Sequence, residues 1–227
     1  NTQPRRGKPL TIATRILKTT TLAVTLSVAV AACAKSQETN DEPAVGEDQS
    51  MQQPEVKGPQ VLLETSMGNI LIGFYPDQAP LSVENFLAYV EAGHYDGLVF
   101  HRVIPDFMIQ SGGHEADLVA RDGGRAPIRN ESDNGLSNTR GTIAMARTGD
   151  PHSASSQFFI NHTDNTFLNF GENPQSPNGW GYTVFGTVLE GMDVVDAIAA
   201  VPTGNAGGMQ NVPVEPVTIV SATVVQP

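Results

Sequence analysis

The sequence predicts a mainly β domain, an all-β barrel or sandwich carrying two helices. Three observations carry that reading: many short strand-like runs, only two stretches with helical spacing, and long loop-rich separations between them. An alternating βαβ sheet would need a helix between most strands, and the chain does not supply them.

The elements follow in order. Val61–Thr65 and Ile70–Tyr75 flank Ser66-Met67-Gly68-Asn69, with Gly68 available for a positive φ, so an opening β-hairpin is expected. Pro80 then precedes Val83, Phe86, Leu87 and Val90, spaced three and four apart, and Gly93 stands where a helix would stop. Four strand-like runs come next: Leu98–Ile104, Phe107–Gln110, Gly141–Ala146 and Ser156–Asn161. Tyr182–Leu189 is a further strand, and Asp193–Ala199 reads as a short helix with Val194, Val195 and Ile198 on its apolar side. Val217–Val225 closes the chain as the last strand. The connections 112–140 and 163–181 are long, and long loops in a compact domain carry function.

Charge divides the chain into segments with different tasks. The formal net charge is -11, yet every charged residue before Cys33 is basic: Arg5, Arg6, Lys8, Arg15 and Lys18. From Pro59 onward the cations are Arg102, Arg121, Arg125, Arg129, Arg140 and Arg147, which form no basic stripe, so nucleic acid is not an expected partner. Cys33 is the single cysteine, which excludes an intrachain disulfide and a paired-thiol redox motif. Ahead of it, Thr19–Ala32 is uncharged and mostly apolar, follows the cationic head and ends in small residues, the pattern of a secretory signal over 1–32. Residues 34–58 are rich in Glu, Asp, Gln, Ser and Pro and lack aromatics, so 33–58 is expected to be a disordered acidic tether to a domain spanning 59–227.

Val30-Ala31-Ala32-Cys33 resembles the lipobox of bacterial lipoproteins. That resemblance implies cleavage ahead of Cys33, a diacylglyceryl group on its thiol and an acylated amine, a combination that anchors stably where one chain would be marginal. The implied location is the cell envelope, lipid-anchored and facing the periplasm. Ala34 after the cysteine leans toward the outer membrane where the source has two.

Three further segments carry a second resemblance. Phe100-His101-Arg102-Val103-Ile104-Pro105-Asp106-Phe107-Met108-Ile109-Gln110-Ser111-Gly112-Gly113, then Gly141–Thr148 (GTIAMART), then Ser156–Asn161 (SQFFIN) are similar, in the same order, to the signature motifs of cyclophilins. The likeness runs from about Pro59 to the C-terminus and is nearest to bacterial members. It implies a closed eight-stranded antiparallel β-barrel capped by two α-helices, a monomer by family default, and peptidyl-prolyl cis/trans isomerase activity on proline-containing segments of exported proteins.

The resemblance also implies roles. Arg102 and Gln110 are the expected catalytic pair, the guanidinium donating toward the prolyl nitrogen and the amide orienting it. Phe107, Met108, Phe159 and Leu168 are the expected slot for the proline ring, with Ala146, Arg147 and Gln157 along the groove for preceding residues. Strand alternation puts Met108 and Gln110 on one face, Gln157 and Phe159 on another shared face, and Phe158 in the core. Phe167 and Tyr182 complete the substrate-binding set, standing where the best-known eukaryotic members carry tryptophan and histidine. Trp180 reads as loop packing or rim contact.

The reaction needs no cofactor, and none is expected. His94, His101, His114, His152 and His162 show no metal-ligand spacing, and His101 reads as a structural strand residue. Gly112-Gly113, Gly123-Gly124 and Gly207-Gly208 lack the strand-to-helix setting of a phosphate loop and read as turns. The alternative function is a non-catalytic peptide-binding or chaperone module on the same fold, which would keep the groove but have no need of the arginine.

Overall fold

The computed structural model describes residues 53–225 apart from 175 and 177. The expected signal segment, Cys33 and most of the expected tether lie outside the described residues. Ten strands, two α-helices and one short 3-10 turn are described: β1 (Gln60–Thr65), β2 (Gly68–Phe74), α1 (Pro80–Glu91), β3 (Arg102–Ile104), β4 (Met108–Ser111), β5 (Thr142–Met145), β6 (Phe158–Asn161), the 3-10 turn Thr166–Leu168, β7 (Val184–Glu190), α2 (Met192–Ala199), β8 (Thr203–Ala206), β9 (Met209–Pro213) and β10 (Ile219–Val225). All eight expected strands and both helices are present. The β8–β9 hairpin is an addition: its residues are largely exposed and lack apolar alternation, so only the Gly207-Gly208 turn between them was legible.

Eight strands form one antiparallel sheet in the order β10-β1-β2-β7-β5-β6-β4-β3. The closed barrel expected is a curled sheet whose edge strands β3 and β10 share no ladder. The gap is sealed by a short seam, in which Val99 bridges Thr218. There the Gly97 and Phe100 amides donate to the carbonyls of Ile219 and Val217 at 2.8 and 2.9 Å, and Ile219 donates back to Leu98 at 2.8 Å. Residues 98–100, expected within the third strand, serve this seam, which is why β3 is only three residues long.

Alternation along the strands sorts side chains into two clusters. Val103, Ile109, Ile143, Met145, Phe158, Ile160 and Phe185 point inward with Leu63, Ile70, Ile72 and Phe74 to make the main core. Phe86 of α1 reaches into it, its ring 4.9–5.4 Å from those of Phe74, Tyr95, Phe158 and Phe185. Val195, Ile198 and Ala199 of α2 join the same cluster. On the opposite face of the sheet, Met108, Ala144, Phe159 and Val184 gather with Tyr75, Leu136 and Leu168 into a second, smaller cluster.

Long loops are tied down by polar side chains. The first turn of α1 has no side-chain cap of its own. Instead Glu131, from the loop between β4 and β5, accepts the Leu81 and Ser82 amides at 3.0 and 2.9 Å and the Ser82 hydroxyl at 2.8 Å. A carboxylate there satisfies orphan N–H groups and complements the positive end of the helix dipole. Contacts with the domain begin ahead of Pro59. Gln53 donates to the Ser137 carbonyl at 2.9 Å, and Val56 packs against the second cluster.

The loop entering α2 depends on a glycine. Gly191 sits at φ 91°, and a Cβ there would collide with the Asn69 carbonyl oxygen of the adjoining strand. Replacing Gly191 with Ala is expected to cost about 2–4 kcal/mol of stability, from backbone strain plus the forced displacement of β2. Urea-unfolding midpoints check this, and an unchanged midpoint contradicts it.

Candidate functional site

The register of four strands lays the site out. Arg102 on β3 pairs with Gln110 on β4, Gln110 with Phe159 on β6, Phe159 with Ala144 on β5, and Ala144 with Val184 on β7. Cross-strand neighbours on one face have Cβ atoms about 4.5–5.5 Å apart. One row therefore runs from a cation through an amide to an aromatic ring, on the face away from the core.

Arg102 is half-buried beside this row. Its Nη1 donates to Oε1 of Gln110 at 3.3 Å and lies 3.9 Å from the Met108 sulfur. Gln110 Nε2 donates in turn to Oε1 of Gln157 at 3.0 Å. Gly113 leaves the room that Gln157 occupies, since a Cβ at 113 would stand 2.5–2.7 Å from its side chain. Among the described residues no carboxylate pairs with Arg102. Burial lowers its pKa from the usual arginine range, a direction that makes the guanidinium hungrier for a partner.

A cleft of about 240 Å³ opens beside the guanidinium. Phe107, Met108, Phe159 and Leu168 give it an apolar lining, with Gln110, Ala146, Arg147, Phe167 and Tyr182 around them. Phe107 stacks on Phe167 at 5.9 Å, and the Arg102 Cζ lies 5.8 Å from the Phe107 ring centroid. Tyr182 stands edge-on to Phe159 at 5.6 Å. A second recess of about 170 Å³ shares Gln110, Ala146 and Arg147 and adds Gln157, Thr148, Ser153 and Ser155.

The structure thus brings every expected site residue of the domain to one surface, with Gln157 lining the second recess and touching the cleft through Gln110. The Arg147 side chain is committed to scaffolding: it donates to the carbonyls of Gly181, Trp180 and Thr148 at 2.8–3.0 Å and lies over the Tyr182 ring at 4.6 Å. Trp180 packs between His152 and Phe170.

Sequence reasoning missed the asparagines that hold the cleft in shape. Asn165 donates to the Phe107 carbonyl and to Asn161, both at 2.8 Å. Asn161 donates to Asn138 and to the Thr142 hydroxyl, while Asn169 bridges Asn138 and Ser137. This buried network fastens Phe107, on one wall, to the turn that carries Phe167 and Leu168 on the other. The available signal was the density of Asn in the loops around SQFFIN, a residue type whose amide both donates and accepts. Ser153 and Ser155 of the second recess were equally legible only as a polar stretch.

Over residues 60–224 the chain matches the family model described as cyclophilin type peptidyl-prolyl cis-trans isomerase/CLD. It is 58% identical over 164 residues to a peptidyl-prolyl cis-trans isomerase of Streptomyces antibioticus, covering 72% of this chain and 97% of that one. It is 53% identical over 164 residues to peptidyl-prolyl cis-trans isomerase B of Escherichia coli strain K12, covering 72% and 98%. The fold is similar to the crystal structure of a Cryptosporidium parvum cyclophilin type peptidyl-prolyl cis-trans isomerase in the presence of the dipeptide Ala-Pro. There the TM-score is 0.60 at 22% identity, over 74% of this chain and 99% of that one.

Behind the catalytic row lies a buried imidazole. His101, 3% exposed, precedes β3 and lies against His114 with ring centroids 4.3 Å apart, and the Nδ1 atoms of both are buried without a hydrogen-bond partner. Burial, and next the neighbouring His114, push the His101 pKa down to about 4. The unfolded chain takes up this proton near pH 6.5 and the folded protein only near pH 4, so stability falls as pH drops through that window. The expected loss from His101 is on the order of 3 kcal/mol. Urea unfolding at pH 7 and pH 4.5 should show a shallower fall for His101→Gln than for the wild type; parallel pH dependences contradict the assignment.

Proposed function

From the premise that the chain belongs to the cyclophilin-type peptidyl-prolyl cis-trans isomerase family, we propose that it is an isomerase of X-Pro bonds in which Arg102 carries the rate enhancement. The observation that supports this most directly is a guanidinium without a carboxylate partner at the rim of an apolar slot. An arginine kept for stability would be paired; this one is held by an amide oxygen and left with donors to spare.

The chemistry follows from the amide bond. Rotation about a peptide bond faces a barrier of about 18–20 kcal/mol because the nitrogen lone pair is delocalised into the carbonyl. As the bond twists, the lone pair localises on the prolyl nitrogen and becomes a hydrogen-bond acceptor. Arg102 donates to that nitrogen and meets it only part-way through the rotation, which is the condition for lowering the barrier instead of merely binding the substrate. The guanidinium stays charged and does not remove a proton. Phe107, Met108, Phe159 and Leu168 hold the proline ring by burying its methylenes, each contributing about 0.8 kcal/mol. Gln110 keeps the guanidinium aimed. The second recess, with Gln157 and the Ala146–Arg147 backbone, receives the residues preceding proline.

The substrates proposed are flexible segments of exported proteins, with the enzyme held in the cell envelope by a lipid on Cys33 and facing the periplasm, on the outer membrane where the source has two. The basic head, the apolar run 19–32 and Val30-Ala31-Ala32-Cys33 support this reading. Twenty residues separate Cys33 from Gln53, a reach of at most about 70 Å, enough to carry the cleft clear of lipid headgroups. Neither a metal nor an organic cofactor is needed.

Arg102→Ala should lower kcat/KM for a proline-containing peptide about 10²–10³-fold, as removal of a transition-state donor does elsewhere. Arg102→Lys should recover little, since an ammonium lacks the planar fork. Rates equal to the wild type would favour the non-catalytic peptide-binding module. Expressed from a full-length gene, the Cys33→Ser protein should leave the membrane fraction and lose the acyl mass from its N-terminal peptide; retention at the membrane contradicts the lipid anchor.

A further inference from the structure

The wall of the slot formed by Phe107 is tied to α2 through one histidine. Phe107 follows a tight turn in which Asp106 adopts φ 55°, a left-handed conformation that an aspartate tolerates but that must be held in place. The holding group is His162, just past β6. Its Nδ1 accepts the Asp106 backbone N–H at 3.0 Å, and its own backbone N–H donates to the Phe107 carbonyl at 2.9 Å. Since Nδ1 accepts, the ring proton sits on Nε2, which faces Oδ1 of Asp196 at 3.2 Å. Asp196 lies on α2 and is gripped by Arg140, whose Nη2 reaches both carboxylate oxygens at 2.8 and 2.9 Å. Arg140 also donates to the His162 carbonyl at 2.6 Å, and its backbone N–H to Asp164 at 2.8 Å.

We propose that His162 is a positioning residue for the isomerase reaction: through Nδ1 it fixes the Asp106–Phe107 peptide, and so the Phe107 wall of the proline slot, with its tautomer set by Asp196 of α2. The proposal deepens the reading of the cleft as an isomerase site and rests on it. His162 does not itself touch the cleft; it acts through the backbone of the residue beside Phe107. Phe107 contributes to the slot whether the X-Pro bond is planar or twisted. Loosening it therefore weakens ground and transition states alike, which raises KM and leaves kcat in place.

Two substitutions separate the arms of the imidazole. His162→Asn puts an amide oxygen at the position of Nδ1, where it accepts from Asp106, and abandons Asp196. His162→Gln moves the amide outward to the position of Nε2, keeps Asp196 and leaves the Asp106 N–H unmet. For a short synthetic peptide with one Ala-Pro bond, KM should stay close to the wild type in His162→Asn. It should rise about three- to tenfold in His162→Gln and in His162→Ala, with kcat within about twofold of the wild type in all three. Thermal unfolding of each variant shows that it is folded, and the Asn–Gln contrast decides even where the Ala variant does not fold. Equal KM values for Asn and Gln, or a loss confined to kcat, overturn the proposal. Failure of the isomerase reading itself would show separately, as an Arg102→Ala protein no slower than the wild type.

Discussion

The structure depends on one constraint, the two-residue repeat of a β-strand held in register across neighbouring strands. On β3, β4, β6, β5 and β7 alternate residues must go to opposite faces. Once Val103, Ile109, Phe158, Ile143 and Phe185 are committed to the core, Arg102, Gln110, Phe159, Ala144 and Val184 are committed to the outer face in a single row. Hydrophobic burial on one side thus sets the geometry of the polar chemistry on the other. A slip of one residue in any of these pairings would bury the guanidinium and expose an aromatic ring, so the energy that folds the sheet also guards the site.

A row on a sheet is not yet a cleft; walls are needed, and these come from loops. Their polar side chains are spent on backbone groups: Glu131 on the start of α1, Arg147 on the 180–181 carbonyls, and Asn138, Asn161, Asn165 and Asn169 on one another and on Phe107. Buried polar groups are costly when unmet, so a network with its members satisfied holds essentially one arrangement. Arg121 and Arg140 are likewise engaged with carboxylates. Against that background the unpaired charge of Arg102 is the exception, and the exception marks the chemistry.

The same division explains what was legible beforehand. Alternation and helical spacing are local, so all eight strands of the large sheet and both helices could be read with boundaries near those observed. The seam could not, because residues 98–100 are equally suited to extending β3 and to pairing with 217–219, and only the closure of the sheet decides. Val56 and Gln53 sit in a stretch whose composition reads as tether, and their contacts with the domain arise from a groove that exists only once the sheet has formed. The motif residues were found because their types and spacing are distinctive. The asparagines and His162 were not, since an asparagine or histidine in a loop is ordinary until its partner is known.

What the sequence determined alone was therefore everything written in short-range pattern: the mainly β class, the order of the elements, which side chains face inward, and a cationic fork, an amide and a set of aromatics at strand spacing. What only the tertiary structure decided was which distant groups meet. The pairing of Arg102 with Gln110, the turn at Asp106 held by His162, and the absence of a carboxylate beside the guanidinium are relations between segments 8–60 residues apart. Such relations depend on how the sheet curls and where its loops land, and no local preference encodes them.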